Sequence, residues 1–247
     1  MKPLFRPLAI LALFIPLATL MAKDPAEDAV IQFVRATGGT IDRAEVDGPI
    51  TLVALGKTEV QDIDLKILAP LKGLRILSLH ATPVTDAGLK ELKPFKKLHE
   101  LDLRGTKITG KGLKELAVLS ELRVLNLAET KIAAADLKEL AKLDSVEELN
   151  LNQTGVSGPE LKQLAGLERL RKLTLDKTKI TDADMKGIAA LEELRHLSLF
   201  GTAVTDEGLK ELTPLKRLRL IDLGETKVTG AGFKWLEKNL PDCDVLK

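Results

Sequence analysis

The stretch LHELDLRGTKITGKGLKELAVLSE, residues 98–121, decides the fold because its 24-residue pattern recurs before and after it without an insertion. Eight threonines mark the register at intervals of 24 residues: Thr58, Thr82, Thr106, Thr130, Thr154, Thr178, Thr202 and Thr226. The eight repeats begin at Ile50, Leu74, Leu98, Leu122, Val146, Leu170, Leu194 and Leu218. Repetition at this length predicts a solenoid in which each unit stacks on its neighbours.

Each repeat contains a strand-like part and a helix-like part. In residues 98–121, Leu101 and Leu103 alternate with polar residues, which is the spacing of a short strand, and then Leu113, Leu116 and Leu119 fall three apart, as on one stripe of a helical or 3₁₀ segment. Neither part can bury its apolar face alone, so the unit is stable only in a stack. Each buried leucine contributes about 1.5–3 kcal/mol to that stack.

The repeated motif LxxLxLxxTx(V/I)T resembles the leucine-rich repeat over residues 50–239. The resemblance implies an α/β solenoid, a curved right-handed coil with a parallel β-sheet on its concave face and short helices on its convex face. The form GTxVTDxGLKEL is similar to the repeats of bacterial secreted leucine-rich proteins and to those of F-box and GALA-type receptors. Threonine stands where the usual pattern has Asn or Cys, and we expect it to satisfy the turn backbone less completely while packing more tightly.

The chain divides into four parts. Residues 1–22 are interpreted as a signal peptide, because the basic residues Lys2 and Arg6 precede an apolar run at residues 7–22. That run is shorter than the about 20 residues of a bilayer span. An uncleaved membrane anchor is the alternative. Residues 23–49 are predicted to form an N-terminal cap of one helix and one edge strand. Residues 50–239 are the eight repeats, and residues 240–247 are predicted to be a C-terminal cap.

Composition argues against several classes of partner. The chain has 37 Lys and Arg residues against 36 Asp and Glu residues, so no bulk field attracts nucleic acid or an anionic membrane. We predict no nucleic-acid partner and no membrane insertion beyond the signal segment. The single cysteine, Cys243, excludes an internal disulfide and a multi-cysteine metal site. Because Asp242 and Asp244 flank it and disfavour the thiolate, Cys243 is interpreted as a buried apolar residue.

Catalytic motifs are absent from the sequence. There is no GxSxG, HExxH, phosphate-binding glycine loop or paired cysteine motif, so we predict no enzyme activity, no cofactor and no metal. His80 and His99 fall on neighbouring strands, but two histidines without a third ligand indicate a metal site only weakly. Asp102, Asn126 and Asn150 form a row that supplies too few oxygens for calcium. We interpret this row as a wettable part of the sheet surface.

The convex segments begin at residues with an oxygen-bearing side chain. Such oxygens accept hydrogen bonds from the first free backbone N–H groups of a helical turn. The candidates are Thr85, Thr109, Ser157, Thr181, Thr205 and Thr229. Ser157 with Glu160, and Thr181 with Asp184, resemble capping boxes.

The remaining functional candidate is the outward face of the sheet, whose residues vary without disturbing the stack. Phe200 is the strongest candidate, because an aromatic side chain at an outward strand position is favoured at interface hot spots. The alternative is that Phe200 folds onto its own turn. The predicted binding residues are His80, Arg104, Asn152, Asp176, Lys177, Arg195, His196 and Phe200.

The leading hypothesis is an exported, secreted or periplasmic, non-catalytic module that binds a protein or peptide on its concave sheet. By resemblance, a second hypothesis is an F-box-like substrate receptor in ubiquitin-ligase-type degradation, although no F-box is seen before the repeats. A structural envelope protein that packs with its own copies is a third hypothesis, and an enzyme that uses a concave histidine or carboxylate is a fourth. A monomer is favoured.

Overall fold

The computed structural model of the protein describes residues 25–46 and 48–247, and the predicted signal peptide lies outside them. The described residues contain one ten-stranded sheet in which the strands follow one another in sequence order. The first strand pairs antiparallel with the second, and all later pairs are parallel. The predicted α/β solenoid, with a parallel sheet on one face and short helical segments on the other, is confirmed.

The strands are short because each occupies only the alternating part of a repeat. They are β1 (Thr40–Arg43), β2 (Ile50–Ala54), β3 (Ile76–Ser78), β4 (Glu100–Asp102), β5 (Val124–Asn126), β6 (Glu148–Asn150), β7 (Lys172–Thr174), β8 (His196–Ser198), β9 (Leu220–Asp222) and β10 (Asp244–Leu246). From β2 to β10, each residue pairs with the residue 24 positions later, as Leu101 does with Leu125. Equivalent side chains therefore form straight columns across the sheet.

Besides the first and last α-helices, which have 12 and 10 residues, the helical segments are short α-helices and 3₁₀-helices of 3 to 8 residues on the convex face. The α-helices are α1 (Pro25–Ala36), α2 (Gly110–Leu113), α3 (Leu137–Leu140), α4 (Met185–Ala189), α5 (Asp206–Leu209) and α6 (Gly230–Asn239). The 3₁₀-helices are Asp62–Leu68, Gly88–Leu92, Lys114–Val118, Ala134–Asp136, Pro159–Gly166, Asp182–Asp184 and Lys210–Leu212. Segments this short are not stable in isolation, so packing on the leucine core holds them.

The core lies between the sheet and the convex segments. The strand column is buried in every repeat: Leu55, Leu79, Leu103, Leu127, Leu151, Leu175, Leu199 and Leu223. The helix column is also buried in seven repeats, from Leu65 to Leu209, whereas Phe233 in the last repeat is only partly buried. The core is thus a continuous apolar column with no single centre.

The repeated threonines close the turn that follows each strand. Each hydroxyl donates to the carbonyl of the leucine three residues earlier, at 2.5–2.7 Å, as Thr106 does to Leu103. The same carbonyl accepts from the backbone N–H of the threonine in several repeats, including that of Thr106 at 3.2 Å. These bonds stay within one repeat, so the threonine column fixes the shape of each coil and does not tie one coil to the next.

The residue just before each threonine adopts the left-handed conformation. Its φ lies between +53° and +68° at Lys57, Ala81, Gly105, Glu129, Gln153, Lys177, Gly201 and Glu225. Glycine occupies only two of these eight positions, although a residue with a Cβ pays about 1–2 kcal/mol for this conformation. The turn is therefore imposed by the stack at six positions where the local residue does not favour it.

Four aspartates on the convex face each connect successive repeats through the threonine of the next repeat. The carboxylate of Asp182 accepts from the backbone N–H of Thr205 at 2.8 Å and from its hydroxyl at 2.7 Å, and the same hydroxyl accepts from Glu207 N–H at 3.2 Å. We call the four residues with this arrangement the bridging aspartates: Asp62, Asp86, Asp182 and Asp206. The predicted cap role is thereby confirmed for Thr109, Thr205 and Thr229. The Thr85 hydroxyl accepts from Ala87 N–H in the same way, but the 3₁₀-helix that follows it begins at Gly88 with Ala87 as its N-cap.

A glycine makes room for each bridging aspartate. A Cβ at Gly208 would lie 2.4 Å from Asp182 Oδ1, and the equivalent distances at Gly88, Gly112 and Gly232 are 2.3–2.5 Å. The central repeats lack this arrangement: their aspartates cap their own segments, and Asp184 also accepts from Gly158 N–H of the preceding repeat at 2.6 Å. Asp136 accepts from Ala133 N–H at 2.9 Å, and Asp184 accepts from Thr181 N–H at 2.8 Å as predicted for a capping box. The prediction for Ser157 is wrong, because Gly158 is the N-cap of its segment.

The first described residues cover one end of the core. Helix α1 buries Val30, Ile31 and Val34 against it, while Ala29, which the helical spacing also placed on this face, is exposed. Of the helices in residues 25–46 and 48–247, none has the length and apolar character needed to span a bilayer.

Candidate functional site

The concave face of the sheet presents three rows of side chains. Because successive side chains alternate across a strand, the residues at the first and third positions of each strand, and the residue two positions later, share this face. We call the middle row, formed by the third positions, the inner polar row: Ser78, Asp102, Asn126, Asn150, Thr174, Ser198 and Asp222. We call the row two positions later the turn-side row: Gly56, His80, Arg104, Ala128, Asn152, Asp176, Phe200 and Gly224.

The inner polar row is occupied in backbone hydrogen bonding. Asp102 accepts from Arg104 N–H at 3.0 Å, Asn126 accepts from Ala128 N–H at 3.1 Å, and Asn150 and Asp222 make the equivalent bonds two residues on. Asp102 and Asn150 are buried, and Asn126 is half-buried. The interpretation of this row as an open, wettable surface is therefore wrong. Its side chains cap the turn that follows each strand.

Three side chains from adjacent strands form a hydrogen-bonded network on the turn side. The amide of Asn152 donates to Asp176 Oδ2 at 2.9 Å and accepts from the backbone N–H of Asp176 at 2.8 Å. Ser198, from the inner polar row of the next strand, donates its hydroxyl to the other carboxylate oxygen of Asp176. Every polar atom of this network is thus held in place before any ligand arrives.

The pKa of Asp176 is raised above its ordinary value. Desolvation by burial is the largest cause, and the nearby charge of Asp222 adds to it, while the hydrogen bonds from Ser198 and Asn152 act in the opposite direction. Glu100 and Asp102 also have raised pKa values, chiefly through burial. The concave face therefore holds carboxylates that a cationic ligand group would stabilise in their charged form.

Phe200 lies beside this network. Its ring covers Gly224 in the next repeat, where an added Cβ would come within 2.7 Å of a ring carbon. The ammonium of Lys177 lies 5.7 Å from the ring centroid, within the range of a cation–π contact. Phe200 is half-buried, so the ring packs on a neighbouring repeat while part of it remains accessible.

The eight predicted residues divide between the two ends of the strands. His80, Arg104, Asn152, Asp176, Lys177 and Phe200 lie where the strands end, whereas Arg195 and His196 lie where β8 begins. Four residues of extended chain separate His196 from Phe200, which is roughly 13 Å. Arg104 is exposed and lies two strands from Asn152, about 10 Å away. Asn152, Asp176 and Phe200 form the contiguous part of the prediction.

The histidines do not form a pair. His80 follows β3 and His99 precedes β4, so they lie at opposite ends of adjacent strands. His80 packs over Gly56, and its Nδ1 lies 3.0 Å from Ser78 Oγ and 4.0 Å from Asp102 Oδ2. A hydrolase triad requires the serine and the aspartate on different ring nitrogens. Here both approach the same nitrogen, so the connectivity of a triad is not formed.

The thiol and the carboxylates offer little for metal or nucleophile chemistry. Cys243 is buried, and desolvation together with the charge of Asp244 raises the pKa of its thiol to about 11. Little thiolate is therefore present at neutral pH. Within residues 25–46 and 48–247, no three His, Cys, Asp or Glu side chains are grouped so that they could hold a metal ion.

Two residues of the patch were missing from the sequence prediction. Ser198 completes the network around Asp176, and Gly224 supplies the surface on which the Phe200 ring rests. Both could have been found by aligning the repeats, since Ser198 stands two residues before Phe200 and Gly224 stands 24 residues after it. Neither side chain projects as a candidate contact: Ser198 and Gly224 position the residues that do.

Comparison with known proteins matches a family model and several solved structures. A family model described as a leucine-rich repeat region matches residues 78–241. Comparison with curated protein sequences gives no match.

Solved structures share the architecture at low sequence identity. Internalin C2 of Listeria monocytogenes is 24% identical with a TM-score of 0.62, over 90% of this chain and 92% of that one. A second internalin of the same organism, inlF, is 22% identical with a TM-score of 0.59, over 94% of this chain and 72% of that one. At this sequence identity, the two internalins show a shared fold and nothing further.

A plant structure shows the same architecture within a longer chain. It is the leucine-rich repeat ectodomain of the membrane receptor kinase GASSHO1/SCHENGEN3 from Arabidopsis thaliana, in complex with CASPARIAN STRIP INTEGRITY FACTOR 2. It is 20% identical with a TM-score of 0.51, and the match covers 73% of this chain and 22% of that one.

Proposed function

Because this chain belongs to the leucine-rich repeat family, we propose that it is an exported, non-catalytic module that binds a protein or peptide on its concave sheet. The family is typical of such binding modules. The observation that carries the proposal is the contiguous patch of Asn152, Asp176 and Phe200, in which fixed polar groups adjoin a partly accessible aromatic ring.

The patch has the properties of a recognition site. Its polar atoms are already oriented by Ser198 and by one another, so binding requires little loss of side-chain freedom. Phe200 supplies an aromatic anchor, and Asp176 is a partly desolvated carboxylate that a cationic group would stabilise. We therefore expect the partner to present a basic side chain next to an apolar one.

The scaffold is compatible with this role. The plant receptor ectodomain was solved in complex with a second factor, so a solenoid of this architecture can carry a bound partner. Export is supported by the composition of residues 1–22, a basic start followed by a short apolar run. An uncleaved N-terminal anchor remains the alternative reading of that segment.

The end regions are proposed to act as caps. Helix α1 buries Val30, Ile31 and Val34, and β1 pairs antiparallel with β2, which supports residues 23–49 as a cover for the first repeat. At the other end, β10 pairs with β9 and Leu240 is buried, which supports residues 240–247 as a C-terminal cap. Such caps keep a solenoid core from water.

A selection experiment tests the proposed site. Peptides are selected from a random display library on the immobilised full chain, and the selected peptides are then measured against variants. Phe200→Ala should weaken their binding by about 1–3 kcal/mol while the melting temperature stays nearly unchanged. Ile63→Ala is the matched control, because Ile63 is an exposed apolar residue of a convex segment.

The outcomes separate the hypotheses. Equal losses in Phe200→Ala and Ile63→Ala would place the binding surface elsewhere. A large fall in melting temperature for Phe200→Ala would make the ring a core residue. Size-exclusion chromatography of the full chain should give a monomer, and a stable higher assembly would favour the envelope hypothesis. The substrate-receptor hypothesis requires an F-box helix bundle, whereas residues 25–46 contain one helix and one strand.

A further inference from the structure

A column of charged residues runs along the edge of the sheet where the strands begin. The residues immediately before β3 to β9 are Arg75, His99, Arg123, Glu147, Arg171, Arg195 and Arg219. Adjacent members belong to neighbouring parallel strands, whose backbones lie about 4.8 Å apart. Glu147 is the one acidic member of this column, which we call the arginine column.

Glu147 shows how the column accommodates a carboxylate. One of its oxygens lies 4.0 Å from Arg123 Nη1, and the other lies 3.4 Å from Arg171 Nη1. The single carboxylate of Glu147 thus pairs with two arginines that lie two strands apart. The geometry matches the preference of guanidinium groups for carboxylate oxygens.

The next positions along the column have no such acid. Arg195 follows Arg171, and Arg219 follows Arg195, so three guanidinium groups occupy consecutive strands. A cavity of 290 Å³ opens here, lined by Arg195, Arg217 and Arg219. Like charges at this spacing repel one another unless an anion lies between them.

Two of the lining arginines have partners within the chain, and the third has none. Arg217 forms an ion pair with Glu193, and Arg219 lies 3.7 Å from a carboxylate oxygen of Asp242. The side chain of Arg195 makes neither a hydrogen bond nor an ion pair with any other described residue. Its donors are therefore available to a ligand in the cavity.

His196 lies next to Arg195, and its pKa responds to the positive charges around it. The pKa of His196 is lowered, first by desolvation and then by the charge of Lys172; Glu148 opposes this, and the charge of Arg195 makes the smallest contribution, also lowering. Lys172 is itself paired with Glu148 at 3.3 Å. An anion bound near Arg195 would favour the protonated imidazole and raise this pKa.

We infer that the cavity at Arg195, Arg217 and Arg219 binds a carboxylate side chain of an acidic peptide segment. The bound carboxylate takes beside Arg195 the place that Glu147 takes between Arg123 and Arg171. The inference rests on the proposed function only in assigning the carboxylate to a peptide. The site lies at the opposite end of the strands from Phe200.

The test uses the full chain with an oligoglutamate peptide as the probe and inorganic phosphate as the comparison. Binding is measured by calorimetry at low and at physiological salt, and the His196 imidazole is followed by NMR. Oligoglutamate should bind and raise the pKa of His196. Arg195→Ala should weaken binding by about tenfold, and Arg195→Glu should abolish it because the new carboxylate occupies the place of the ligand.

Arg123→Ala is the matched control. Arg123 belongs to the same column, and its replacement by alanine removes the same charge. Because Arg123 lies away from the cavity, oligoglutamate binding should be retained. Equal weakening by Arg123→Ala and Arg195→Ala would reduce the effect to net charge and overturn the inference. Phosphate that binds as tightly as oligoglutamate, or an unchanged His196 pKa at saturation, would overturn the assignment to a carboxylate.

The two proposals can fail separately. If library peptides bind through Phe200 while oligoglutamate does not bind, the carboxylate site fails and the concave recognition site stands. If oligoglutamate binds through Arg195 while no library peptide depends on Phe200, the reverse holds. Melting temperatures of the Arg195 variants should match that of the parent, because this side chain is exposed.

Discussion

Asp206 on the convex face and Asp176 on the concave face accept similar sets of hydrogen bonds, yet their pKa values shift in opposite directions. The pKa of Asp206 is lowered, chiefly by the hydroxyl and the backbone N–H of Thr229. The pKa of Asp176 is raised because burial outweighs the bonds from Ser198 and Asn152. The difference lies in desolvation, since the charge of Asp206 is hardly desolvated and that of Asp176 loses much of its hydration.

The carboxylate of Asp206 on the convex face stabilises the fold, whereas that of Asp176 on the concave face is available for binding. On the convex face, the charged carboxylate of Asp206 gains more from its donors than it loses in hydration, so its bonds to Thr229 stabilise the stack. On the concave face, the charge is costly in the absence of a ligand. A partner that supplies a positive charge would remove that cost.

Removing a bridging aspartate should have the largest effect on stability. Asp182→Ala leaves the backbone N–H and the hydroxyl of Thr205 without their acceptor, and it should lower the free energy of unfolding by about 2 kcal/mol. Asp136→Ala removes one bond within a repeat, to Ala133 N–H, and should cost about 1 kcal/mol. Urea unfolding followed by circular dichroism measures both variants. Equal costs would mean that the connection between repeats adds nothing beyond a helix cap.

The glycine beside each bridging aspartate should give the next effect. Gly208→Ala places a Cβ 2.4 Å from Asp182 Oδ1, so the carboxylate must move and its bonds to Thr205 weaken. We expect a loss of about 1–2 kcal/mol in the free energy of unfolding.

A double-mutant cycle shows whether that loss acts through the bridge. In the Asp182→Ala background the contact with the carboxylate is gone, and the contacts with Met185 Cγ at 3.0 Å and with the backbone of residue 182 at 3.1 Å remain, so Gly208→Ala should then cost less than it does in the parent. Additive losses in the double variant would show that Gly208 acts independently of Asp182.

The opposite pKa shifts predict opposite responses to acid. The folded pKa of Asp206 lies below its unfolded value of about 3.9, so its contribution to stability is complete above that value and is lost as the pH falls through the folded pKa. The advantage of the parent over Asp206→Asn should therefore shrink on acidification.

Asp176 should respond in the other direction. Its folded pKa lies above the unfolded value, so the folded protein takes up the proton first as the pH falls, and the parent gains stability relative to Asp176→Asn. Unfolding free energies of the three proteins at several pH values between 7 and 3 give both slopes. Parallel slopes for the two variants would contradict the distinction between the faces.

The repeat made most of the fold predictable. The 24-residue spacing of Thr58 to Thr226 fixed the register, and the leucine columns fixed which side of each strand is buried. Equivalent residues meet at every coil, so one repeat describes all of them. This is why the spacing of the threonines and leucines was enough to predict the architecture.

The site was less predictable because it depends on contacts between non-identical repeats. The pairing of Asp182 with Thr205 and Gly208 requires the relative position of two coils, which the pattern of one repeat does not contain. The burial of Asp102 was missed for a similar reason, since its bond to Arg104 N–H depends on the turn conformation. Whether Phe200 lies flat depends on Gly224 in the next coil.

The turn that joins the concave and convex faces provides the smallest expected effect. Ala81 has a φ of +53°, so Ala81→Gly removes about 1–2 kcal/mol of backbone strain. It also adds about 0.5–1 kcal/mol of unfolded-state entropy, and the net result should be a gain of about 0.5 kcal/mol in the free energy of unfolding.

Gly105 is the matched control, since it occupies the same position one repeat later with a φ of +68°. An alanine Cβ there would meet no atom closer than 3.7 Å, so the expected loss of stability in Gly105→Ala is conformational and not steric. Chemical unfolding of both variants gives two changes of opposite sign if the stack imposes the left-handed turn on whichever residue occupies it. If Ala81→Gly were destabilising, the turn would be held by side-chain packing of Ala81, and the strain ascribed to the six residues with a Cβ would be relieved elsewhere in the coil.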